Sequence, residues 1–149
     1  MPKTGVRFLA IVLTALVLIP AGAHFFAFWN KIGLAQDAYF TVQGIYRGWA
    51  LFGIVIFADL AALLALAWTH RREHWPLLLA LLAFAVVAAS LVLFFAWIYP
   101  ANQATVNWTV VPENWETLRA HWEWTHLINA ILVFIAFCAA TVASLISTR

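Results

Sequence analysis

Four apolar runs, each long enough to cross a lipid bilayer, restrict this chain more than any other feature. The hydrocarbon core of a bilayer is about 30 Å thick and takes roughly 20 apolar residues in a helix. No water is present there to bind backbone groups, so an isolated apolar run must satisfy them within its own helix. The runs fall at about 8–28, 45–68, 76–99 and 113–147, and these 149 residues leave no space for a separate water-soluble domain. The expected fold is all-α: an antiparallel four-helix transmembrane bundle, one integral membrane domain over 1–149. Only 9% of residues are charged, against roughly 25% in soluble domains. A net charge of +2 offers no basis for binding nucleic acid.

Orientation follows from lysine and arginine between the runs. Lys3, Arg7, Arg71, Arg72 and Arg149 fall on one side, and Lys31 in the first loop, with Arg47 and Arg119 at helix entries, on the other, so both termini are expected in the cytoplasm, in the inner (plasma) membrane of a bacterium. Ala21-Gly22-Ala23 imitates a signal-peptidase site. Apolar character continues past it through Phe25, Phe26 and Phe28, so the first run is expected to stay as a span. Pro20 removes a backbone donor and predicts a kink. The lone cysteine, Cys138, lies inside an apolar run and is expected to pack there. Gly44, Gly48 and Gly53 suggest close approach of a neighbouring helix. The tryptophans near the external side, Trp108 among them, mostly read as interface anchors, with a wall for a flat aromatic ligand as the alternative, above all for Trp122 beside the polar stripe; Tyr39, Phe40 and Tyr46 suit the same aromatic belt. Thr69 to Trp75 reads as a solvated, charged turn; its His70-x-x-Glu73-His74 has no third ligand in sight and is not read as a zinc site.

The stretch from Glu113 to Asn129 carries the chemistry. On one helix, Glu116, Arg119, Glu123 and His126 fall within about 80° of arc. A polar stripe leading into an apolar rod is costly in lipid, so something must face it. Topology brings His24 and Arg47 to the same end, with Tyr46 beside them. Arg47 with Glu123, or Arg119 with Glu116, would form ion pairs pinning the helices. Two histidines add groups that titrate near neutrality, which a proton-transfer site needs and a packing network does not. Glu123-x-x-His126 has the spacing of di-iron bundles, but the second copy and two further glutamates are missing. No cofactor is therefore expected; a mononuclear metal on His24, Glu123 and His126, or a haem between His24 and His126, stays open. Asp59, near mid-bilayer, is either functional or a protonated carboxyl bonded to a backbone carbonyl such as that of Leu16, freed by Pro20.

Three motifs carry a resemblance: Tyr99-Pro100-x-Asn102, Leu118-x-x-x-Trp122-x-x-x-His126, and Tyr39-Phe-Thr-Val-Gln43-Gly-Ile-Tyr-Arg47-Gly-Trp49. With them the chain resembles the small four-helix membrane proteins grouped with fungal anthrone oxygenases, many of whose bacterial members have no assigned function. In many relatives arginine stands three places after the histidine of the fourth run, here His126. Here that position is Asn129, and Arg47 is the candidate for the missing charge. The resemblance implies cofactor-independent oxygenation of an electron-rich polycyclic phenol or ketone. His126, positioned by Glu123, would be the base, and Arg47 or Arg119 would stabilise the enolate oxygen. His24, Trp122, Asn102, Tyr46, Asn129 and Asp59 are the expected substrate-binding residues. The competing classes are a non-enzymatic subunit whose stripe binds another membrane protein or a second copy, and a small transporter. The expected partners are the lipid bilayer and a flat, hydrophobic aromatic or quinone-like molecule.

Overall fold

The computed structural model describes residues 3–147; Arg149, used above for orientation, lies outside them. All regular structure among the described residues is helical: α1 (Lys3–Lys31), α2 (Gln36–Gln43), α3 (Phe52–Thr69), α4 (His74–Leu93), α5 (Tyr99–Ala104) and α6 (Trp115–Ile146). Four helices are long and apolar enough to cross a membrane, at Lys3–Lys31, Trp49–Thr69, His74–Ala104 and Trp115–Ile146. Their outward surfaces carry large apolar side chains such as Phe8, Ile19, Phe57 and Phe134, which is the surface lipid requires.

The four long helices close a ring of contacts. α1 packs on α3 and α6, and α4 packs on the same two. Alanine fills the centre: Ala10, Ala80, Ala83, Ala136, Ala140 and Ala143 have no exposed surface. Short side chains let helix backbones approach closely, and dispersion over that contact replaces the solvent-driven term that lipid does not supply.

Several boundaries differ from those expected. α1 extends to Lys31 and passes through Pro20 without interruption. The expected loop over 30–44 contains α2. The second span does not start at 45; a 3-10 turn at Gly44–Tyr46 and another at Trp49–Leu51 precede α3. Gly48 between them has φ +86°, which favours a residue without a Cβ. A Cβ on Gly44, Gly48 or Gly53 would meet nothing within 4 Å, so these glycines serve no close helix approach. The third span continues through a π turn at Phe94–Ile98 into α5, past the expected end at 99. Cys138 faces outward rather than packing inside.

The segment after α5 winds the wrong way for L-residues. Val106, Asn107 and Trp108 have φ of 49°, 54° and 63°, a conformation that costs about 1–2 kcal/mol per residue. Thr105 holds the turn: its hydroxyl accepts from the Trp108 amide at 3.0 Å, and its carbonyl accepts from the Thr109 and Val110 amides at 3.0 and 2.9 Å. Trp108 is thereby buried at 6% exposure, not set at the interface as an anchor.

At the opposite end of the helices, Arg7 donates to Ser147 Oγ, and that hydroxyl donates to Glu73 at 3.0 Å. His70 is fully buried with Nδ1 3.3 Å from Glu73 Oε1. The turn over 69–75 is therefore only partly solvated. Arg71, Arg72 and His74 are exposed, whereas Glu73, paired with the buried His70, ties the turn to Ser147 after α6 and through it to Arg7 of α1.

Candidate functional site

α1 brings His24, Phe28 and Lys31 onto one face, since positions i, i+4 and i+7 align on a helix. All three are buried. α6 lays Trp122, Glu123 and His126 against them. The imidazoles of His24 and His126 stack, with centroids 3.8 Å apart and planes at 21°. Tyr46, Trp49 and Trp122 surround His24 at 4.4, 5.4 and 5.0 Å, and Trp122 also touches His126 at 4.1 Å. His24 Nδ1 is buried without a hydrogen-bond partner.

A charged network adjoins this box. Lys31 Nζ lies 3.0 Å from Glu123 Oε1, with both side chains almost wholly enclosed. The Tyr39 hydroxyl donates to the same oxygen at 2.9 Å, and Gln43 Nε2 donates to the Tyr39 hydroxyl. The Lys31 ammonium also sits over the rings of Tyr46, at 4.5 Å, and Trp122, at 4.8 Å. Arg119 donates to the Leu34 carbonyl at 2.7 Å and lies over Trp115 at 4.7 Å and Tyr39 at 5.5 Å. It thus ties α6 to the α1–α2 turn and does not pair with the exposed Glu116.

Asn102 links the two helix-end motifs. Its Oδ1 accepts from the indoles of Trp122, at 2.9 Å, and Trp108, at 3.2 Å. Asn129 is partly buried one turn beyond His126, with its Oδ1 unpartnered.

Other expected members lie elsewhere. Arg47 is exposed in the turn before Gly48, because the second helix starts at Phe52 rather than 45. The partner of Glu123 is Lys31, not Arg47, and Glu123 hydrogen-bonds Tyr39 rather than orienting His126. Asp59 is fully buried, and it hydrogen-bonds Thr14 Oγ1, as acceptor at 2.7 Å, instead of donating to the Leu16 carbonyl. Thr14 precedes His24 by ten residues, about 15 Å along the helix, so this pair joins α1 to α3 away from the histidines.

Lys31, Tyr39 and Gln43 are the residues the sequence reading missed. By sequence, Lys31 falls in the loop after the first apolar run and Tyr39 in the aromatic belt. The available signals were the i, i+7 spacing of His24 and Lys31 and the i, i+4 spacing of Tyr39 and Gln43.

Burial raises the phenols of Tyr39 and Tyr46, and the nearby Glu123 carboxylate adds to it; Tyr46 is pushed up from 10.0 to about 12. The folded state therefore holds these protons where the unfolded chain has released them. Stability from Tyr46 is complete below about pH 10 and is lost as pH rises toward 12. Absorbance titration of the phenolates is expected to show Tyr46 ionising near pH 12, with unfolding accelerating over that window; a Tyr46→Phe variant loses that step. Ionisation of Tyr46 at the ordinary value in the folded protein would contradict its burial near Glu123.

Among the described residues, no three His, Cys, Asp or Glu side chains gather as a metal-holding group. Imidazole lone pairs lie in the ring plane, so the stacked His24 and His126 do not aim nitrogens at an ion or macrocycle between them. No protein-family model, curated protein or solved structure matches the chain.

Proposed function

We propose that this is a multi-pass protein of the inner membrane whose external end binds a flat aromatic phenol, ketone or quinone-like molecule and removes a proton from it. The alternating arrangement of spans, with both termini cytoplasmic, is supported by two sets of contacts. Arg7, the α3–α4 turn and Ser147 meet at one end; His24, Tyr46 and Trp122 meet at the other. Lys3, Arg7, Arg71 and Arg72 belong to the first end, as expected for a cytoplasmic face.

One observation carries the reading of a site: two imidazoles stacked inside a box of aromatic rings, with His24 Nδ1 buried and unpartnered; the choice of His126 as the base follows the motif resemblance. Aromatic walls suit a flat ligand. An imidazole in the neutral form is a proton acceptor at physiological pH. His126 takes the proton from an activated CH2 of the ligand, and the carbanion passes an electron to dioxygen. In the net reaction CH2 becomes C=O, one oxygen atom is kept and the other leaves as water. This is the reaction class suggested by the resemblance to anthrone oxygenases, on the motif residues Asn102, Trp122 and His126.

Purified protein in detergent, given anthrone under air, is expected to form the quinone faster than the uncatalysed control. The rate should fall to zero under argon and be unaffected by a chelator. A rate equal to the protein-free control with every such ketone tested would remove the oxygenase reading.

A further inference from the structure

The Lys31 ammonium has more donors than partners. Three N–H groups are available; among the described residues, its oxygen partner is Glu123 Oε1. That oxygen is shared with the Tyr39 hydroxyl. The remaining donors face the rings of Tyr46 and Trp122, and these rings also wall the stacked imidazoles. Lys31 is 3% exposed, so bulk solvent does not reach it. Donors of a buried cation left without oxygen partners are costly. The local charge also leaves a surplus: Lys31 and Arg119 against Glu123 is one positive charge in excess.

We infer that Lys31 is the anion-binding group of this site, and that the preferred ligand is a flat aromatic carrying an ionised hydroxyl or enol oxygen. This rests on the proposed aromatic-ligand site and specifies its ligand. The ring lies against the imidazoles, and its oxyanion takes the place of the Tyr46 and Trp122 rings as partner of the Lys31 N–H donors. Lys31 thereby occupies the role that the resemblance implies for Arg47 or Arg119. In the proposed reaction the same ammonium would hold the enolate oxygen as the proton leaves for His126, which is transition-state stabilisation by a fixed charge in a dry site.

The test compares 2-hydroxy-1,4-naphthoquinone, ionised at pH 7, with its neutral methyl ether, by quenching of tryptophan fluorescence. A hydrogen bond to a charged group is expected to favour the hydroxy compound by about tenfold in the natural protein. Lys31→Arg should keep the preference. Lys31→Met combined with Glu123→Gln, which leaves no orphaned charge, should abolish it while the ether still binds. Equal binding of both quinones to the natural protein overturns the role of Lys31 and leaves the aromatic site standing. So does a preference that survives in a folded double variant. If neither quinone binds the natural protein, both the aromatic-site reading and this inference fall. Should the double variant not fold, the ratio in the natural protein and in Lys31→Arg still decides.

Discussion

Glu123→Ala is expected to destabilise the protein by about 3–5 kcal/mol, because it strands the Lys31 ammonium in a dry interior. Both side chains of the pair are almost wholly enclosed, so water cannot replace the lost carboxylate. The same change removes the acceptor of the Tyr39 hydroxyl, and Tyr39 has no exposed surface. Glu123→Gln keeps an acceptor for Tyr39 and should fall between alanine and the natural protein. Lys31→Met together with Glu123→Gln should recover most of the loss, since removing both charges also removes the cost of burying them. Thermal unfolding in detergent, followed by circular dichroism, gives the order of the four proteins. If Glu123→Ala melts with the natural protein, the ion pair is not buried as described.

His126→Gln is expected to lower the rate of proton removal about 10²–10⁴-fold, the usual contribution of a positioned general base. Glutamine preserves much of the volume beside Trp122, 4.1 Å from the imidazole in the natural protein, so ligand binding should change little. The diagnostic result is therefore a loss in kcat with KM nearly unchanged. His24→Gln removes the stacked neighbour but not the base, and its effect should be smaller. Single-turnover kinetics with anthrone under air separates the two variants. Equal rates for His126→Gln and the natural protein would refute the assignment of the base.

Much of the site was legible. His24, Glu123 and His126 stand out because polar groups within an apolar helix need partners, Trp122 stands out through the motif it shares with His126, and the structure brings the four together. Asn102 also joins them, through the indole of Trp122. What misled the reading was the position of helix ends. Ending the first helix at 28 put Lys31 in a loop, whereas three more helical residues turn it onto the face of His24. Beginning the second at 45 placed Arg47 on a helix, whereas the left-handed Gly48 turn leaves it in solvent. Helix ends depend on caps and neighbours more than on apolar periodicity, and neither α2 nor α3 has a side-chain cap that would announce it.

The sequence by itself determined the class. Four apolar runs of bilayer length dictate four long helices, because an unpaired backbone group in hydrocarbon costs more than any alternative structure returns. It also determined which residues could not be left facing lipid. The tertiary structure alone decided which charges meet. Lys31 rather than Arg47 neutralises Glu123, and Tyr39 rather than His126 shares its oxygen. Attraction between charges falls with separation in space, and that separation is set by how α2 and the Gly48 turn fold back over α1 and α6, which no local spacing in the chain encodes.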